Sequence, residues 1–221
     1  MSSRRATRRG VGEHYHGDLQ RALLDAAAEL LAEVGAEGVS LREVARRAGV
    51  SHAAPAHHFG DRAGLLTALA TEGFALFDQH LQAALTVPPL QPIDQLPALG
   101  RAYAEFAELH RGHFAIMFRP ALIQPNDPRF AAASEAAFET LRRHVERCQR
   151  AGWHATADNQ SLAAAAWALA HGITALRIQG SLARHCPDTS LDGVAALVDT
   201  IINDPSPRRR RPEGDPPGKP V

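Results

Sequence analysis

Three pairs of neighbouring histidines, His14 with His16, His57 with His58, and His110 with His113, are the first groups in this sequence able to do chemistry. Imidazoles hold zinc when further cysteine, histidine or carboxylate ligands stand at a set spacing, and none of the three pairs has them. No metal and no cofactor is therefore expected, and a metal-responsive protein is the less favoured variant. His110 and His113 share a helix face only if Gly112 permits it. Cys148 and Cys186 have no CxxC spacing and are too few for a disulfide framework, so both read as buried, reduced thiols. A glycine-rich phosphate loop, a GxSxG elbow and an HExxH helix are all missing, so the chain is expected not to be an enzyme.

Arginine is the remaining chemistry. The 24 basic and 24 acidic residues cancel, which at first argues against nucleic acid, whose affinity rests on neutralised phosphates. The balance is uneven along the chain. Residues 1–70 hold nine arginines against eight acidic residues, residues 71–203 ten against thirteen, and residues 204–221 five basic residues against three. Arg4, Arg5, Arg8 and Arg9 precede any periodic pattern, so residues 1–16 read as a flexible basic arm, lying along phosphates or simply solvated. "DPSPRRRRPEGDPPGKP", from Asp204 onward, has almost nothing to bury and is expected to be a disordered tail over 204–221. No run approaches the roughly 18 consecutive apolar residues of a membrane span. "MSSRRATRRG" lacks the apolar stretch of a secretory signal, so a cytoplasmic protein with no membrane partner is expected.

The elements that would position these groups are all helical. Apolar residues from Leu19 to Val34 recur at helical spacing, which predicts a helix from Asp18 to Val34 stopped by Gly35. Ser40 with Glu43 forms a capping-box pattern and opens a second helix, Leu41 to about Ala48. Gly49 supplies the left-handed bend. Ser51 is expected to cap a third helix through Phe59, and Asp61 a fourth through about Leu85. "TVPPLQP", residues 86–92, breaks it. Further helical segments follow at about 94–110, 112–119, 130–151, 158–182 and 191–203.

Leu41, Val44, Ala45 and Ala48 make an apolar stripe that Val50, Ala54 and Phe59 can meet across the turn "AGVS". So short a turn forces the two helices to cross steeply, which is helix-turn-helix geometry. A helical hairpin inside a larger bundle is the plainer alternative. Residues 15–70, from "YHGDLQRALL" through "GAEGVSLREVARRAGVSHAAPAHHFGDRAGLLTALA", resemble the N-terminal domain of the TetR family of bacterial transcriptional repressors. "WALAHGITAL", residues 167–176, is similar to the Trp-His-Gly segment of one subgroup's C-terminal domain.

The resemblance implies an all-α fold: an N-terminal three-helix DNA-binding unit with the helix-turn-helix at 17–62, then a helical effector-binding and dimerisation domain at 63–203. It implies a repressor released from a palindromic operator in double-stranded DNA by a small-molecule effector. By position, the DNA contacts are Ser40, Arg42, Ser51, His52, Ala53, His57, His58 and Arg62. Arg42 and Arg62 suit phosphates, His52 a base edge, and Ala53 a thymine methyl. Ala56 departs from the family, whose members commonly place a phosphate-binding tyrosine there. His57 stands where many relatives have arginine, and histidine is the residue type that titrates near neutrality. Weak, pH-sensitive non-specific binding is the expected consequence.

Selective binding needs a two-fold partner. The resemblance implies a homodimer through a four-helix bundle, with Leu162, Ala166, Leu169 and Ile173 from one helix and Leu191, Val194, Leu197, Val198 and Ile201 from the next. Phe106, His110, His113, Phe114, Met117, Phe118, Phe138, Trp167 and His171 are candidates to line an effector cavity, with the histidines as its polar contacts, although such stripes are also ordinary core. The alternative from a different class is an all-helical ligand-binding or scaffold protein whose helix-turn-helix is vestigial.

Overall fold

A computed structural model describes residues 7–86 and 91–202. Among them are nine α-helices and no strand: α1 (Thr7–Val34), α2 (Leu41–Arg47), α3 (Ala54–Phe59), α4 (Arg62–Ala84), α5 (Leu96–Leu109), α6 (Arg111–Met117), α7 (Pro128–Arg150), α8 (Asn159–Ile178) and α9 (Leu191–Ile202). The tail at 204–221, Arg4 and Arg5 of the arm, and the side chain of Ile201 lie outside the described residues. α1 begins at Thr7 rather than at Asp18, so residues 7–16 of the expected flexible arm are helical. Gly10, Gly12 and Gly17 weaken a helix, but only proline would block one, and this segment has none.

Local chemistry accounts for most helix ends. Gly35, at φ 71°, closes α1. Ser40 accepts the Glu43 amide at 3.2 Å and so caps α2. The return half of the expected capping box is not made, because the Glu43 carboxylate is taken by Arg46 at 2.6 Å. Gly49 turns the chain at φ 67°, and the Val50 amide reaches back to the Ala45 carbonyl at 3.0 Å. Ser51 does not cap α3, which starts later, at Ala54. Pro55 fixes that start, because its missing N–H is lost at no cost only in a first turn. Asp61 caps α4 through the Gly64 amide at 2.7 Å, as its sequence position predicts.

Packing divides into three clusters. The first joins α1, α2 and α4 through Leu23, Leu31, Val44, Leu65 and Leu69, and also takes in Ile116 of α6 and Ile123 beyond it. The expected domain boundary after Arg62 therefore runs through one packed unit. A second cluster holds Phe74, Phe77, Leu96, Tyr103 and Phe106 among α4 to α8. The third joins α5, α8 and α9 through Ala104, Ile173, Val194 and Val198. Cys148 is buried, and burial pushes its thiol up to about 11. Cys186 is only half-buried, and its thiol donates to the Asp188 carbonyl.

Candidate DNA interface and effector cavity

The turn at Gly49 leaves Ser51, His52, Ala53, Ala56 and His57 exposed in one short stretch, while Pro55 points into the core. Val44 and Ala45 hold α2 beneath it. Arg47 of α2 clamps Glu33 of α1 through two hydrogen bonds of 2.6 Å, which fixes the angle of the unit. Ser40 and Arg42 are exposed at the start of α2, and Arg42 makes no ion pair among the described residues. Of the eight expected DNA contacts, six thus face solvent together.

Two do not. Arg62 is half-buried and donates to the backbone carbonyls of Val39, at 2.8 Å, and Ala36. Its guanidinium ties the α1–α2 connection to α4, so it serves as a positioning residue; a sequence position cannot reveal where a long side chain folds back. His58 is also half-buried, at the edge of a crevice shared with Gln20 and Thr71.

A cavity of about 260 Å³ lies among α4, α5, α7 and α8. Phe118, Phe138 and Trp167 of the nine expected residues line it. Phe106 is fully buried behind the wall, and Met117 and His113 are buried beside α4. Phe114 packs on Phe118 with ring centres 5.6 Å apart. His110 stacks on Phe106 at 5.0 Å, and its imidazole is held below the ordinary range by burial and then by the neighbouring His113. His171 does not line the cavity but backs its wall, packing on Phe118 with ring centres 4.6 Å apart and holding its Nδ1 2.8 Å from the Tyr103 hydroxyl. Sequence reasoning missed Phe74, Phe77 and Tyr103, all wall residues. Their signal was present, as aromatic residues on one face of α4 and α5, but α4 reads first as a connecting helix.

The same helix carries a polar joint. Glu72 accepts from His113 Nε2 at 3.3 Å and from Arg21 of α1. Burial alone would raise the Glu72 carboxyl, but hydrogen bonds from His113 and Arg21 outweigh it and hold it at about 2. Gly112 lets α6 touch α1: a Cβ there would sit 2.0 Å from the Ala28 carbonyl oxygen.

The expected dimer residues divide as well. Ile173, Val194 and Val198 are monomer core, and Leu169, Leu191 and Leu197 pack against them. Leu162 and Ala166 are half-buried, and Ala166 and Val198 line the cavity. The outward surface of α8 instead carries Ala165, Trp167, Ala168, Leu176 and Ile178. By length and composition alone α8 is apolar enough to cross a membrane, and little of it is buried.

Comparison with known proteins decides what this arrangement is. Residues 23–69 match the family described as bacterial regulatory proteins, tetR family, and residues 96–201 match the tetracyclin repressor-like C-terminal domain. The chain belongs to the TetR family. It is a DNA-binding transcriptional regulator, all-α, with an N-terminal helix-turn-helix. No curated protein matches this TetR chain. Among solved structures, a Rhodococcus sp. RHA1 protein of unknown function is 35% identical, over 84% of this chain and 94% of that one, with a TM-score of 0.72. PfmR, a TetR family regulator from Thermus thermophilus, is 24% identical over 82% and 97%, with a TM-score of 0.64. AibR, solved with isovaleryl coenzyme A and operator DNA, is 19% identical over 83% and 98%, with a TM-score of 0.63.

Proposed function

We propose that this TetR-family chain is a cytoplasmic, non-enzymatic homodimeric repressor that grips a palindromic operator through α2 and α3 of each subunit and lets go when a small effector fills the cavity. The observation that carries this reading is that α4 belongs to both sites. At its start the Asp61 amide donates to the Phe59 carbonyl at the end of α3 and Arg62 holds the α1–α2 connection, while Phe74 and Phe77 further along it line the cavity. An effector that prefers one placement of α4 over another shifts the DNA-binding unit by its differential affinity, and DNA opposes the effector by the same factor. AibR has been solved with both kinds of partner.

The DNA contacts proposed are Ser40, Arg42, Ser51, His52, Ala53 and His57. Arg42 and backbone amides hold phosphates, while His52 and Ala53 meet base edges. Pairing uses the outward face of α8, where Ala165, Ala168, Gly172 and Leu176 follow one another at helical spacing and small residues let two backbones approach. Fluorescence anisotropy with DNA from upstream of the chain's own gene tests the reading. The full-length protein binds, Arg42→Ala weakens all sequences alike, and His52→Ala narrows the gap between specific and random DNA. A protein that ignores every such fragment sinks it.

A further inference from the structure

Donors and acceptors are unevenly distributed over the cavity wall. Six aromatic side chains face it, Phe74, Phe77, Tyr103, Phe118, Phe138 and Trp167. The hydroxyl groups are engaged within the protein. Tyr103 is paired with His171 Nδ1 at 2.8 Å, and hydrogen bonding to Trp167 also bears on its phenol. Ser134 donates to the Ala131 carbonyl at 3.1 Å. What remains for a ligand is acceptor chemistry: the Ser134 lone pairs and the carboxylate of Glu135, a lining residue that is itself solvent-exposed. Glu135 makes no hydrogen bond or ion pair among the described residues, and Arg142, the guanidinium that feels its charge, is bound through two nitrogens to Glu139. No lysine, arginine or histidine lines the wall.

Aromatic faces and a carboxylate both attract positive charge, and their attraction grows as water leaves. A carboxylate or phosphate ligand would find no donor here and would meet Glu135 as a like charge. Resting on the reading that this cavity is the effector site, we propose that the effector is an organic cation, an amine or quaternary ammonium on a compact apolar body. The cavity, about 260 Å³, lies just below the usual range of roughly 300–1,000 Å³ for drug-sized sites, which favours a small molecule. The three histidines expected as polar contacts stand outside this role, since none lines the wall.

Three probes with one body and different heads test this: phenylbutylammonium, phenylbutanol and phenylbutyrate, titrated calorimetrically into the full-length protein at neutral pH. The ammonium binds about tenfold more tightly than the alcohol, and the carboxylate binds most weakly. Glu135→Gln removes the ammonium's advantage and leaves the alcohol unchanged. Ala170→Phe fills the cavity and weakens all three; Ala166→Leu replaces it if the melting curve shows that the first variant is unfolded. Phenylbutyrate binding as well as the ammonium, or an ammonium affinity indifferent to Glu135→Gln, overturns the proposal. If the alcohol and ammonium bind equally and both are blocked by the filled cavity, the ligand class is wrong and the effector site stands. Binding that survives the filled cavity, or no binding by any probe, refutes the site itself.

Discussion

Two arginines bracket the helix-turn-helix and do opposite work. Arg42 projects into solvent, whereas Arg62 turns inward to the carbonyls of Val39 and Ala36. Arg42→Ala is expected to leave the melting temperature unchanged and to reduce the slope of log affinity against log salt by about one. Arg62→Ala exposes no new charge but orphans two carbonyls, so it costs about 1–3 kcal/mol of stability in a denaturant titration. Its DNA affinity recovers at low temperature, where the unit is folded. A full loss of binding with an unchanged melting curve would return Arg62 to the phosphate contacts.

α6 meets α1 without a side chain between them, and a methyl group has nowhere to go at Gly112. Gly112→Ala should push the helices apart, at about 1–3 kcal/mol for an overpacked core, read as a lower melting temperature. Glu72 binds the same joint electrostatically. Its carboxyl is held at about 2, below an ordinary value of 4.5, so the unfolded chain takes up the proton first as the medium becomes acidic. The stability it supplies is complete above that ordinary value and disappears as pH falls toward 2. Denaturant midpoints at about pH 5 and about pH 3 should therefore differ less in Glu72→Gln than in the parent. The helices themselves were legible, because Ser40, Gly49, Asp61 and the Pro92 break act locally. What escaped was the choice between competing local partners: Glu43 bonds Arg46 rather than its own N-terminus, and Pro55 rather than Ser51 sets the start of α3. The cavity was only partly legible because periodicity shows that Phe74 and Phe106 face inward but not that one meets a void and the other solid packing.

At the scale of the molecule, the two faces of α8 divide the labour. The inner one joins the core through Ala163, Ala170 and Ile173, and the outer one presents Ala165, Ala168 and Leu176. Sequence shows an apolar helix and, with the family resemblance, assigns the stripe Leu162, Ala166, Leu169 and Ile173 to pairing, because hydrophobicity does not say which partner covers it. Leu176→Glu, on the outer face, should yield a folded monomer by light scattering that no longer holds a palindrome, with Ile173→Ala destabilising the subunit instead. A dimer that survives the glutamate would move the pairing surface elsewhere. Trp167 lines the cavity while remaining 38% exposed. An occupied cavity therefore alters the surroundings of an indole that solvent also reaches, so its emission should shift as a ligand fills the pocket, an optical gauge carried by the fold itself.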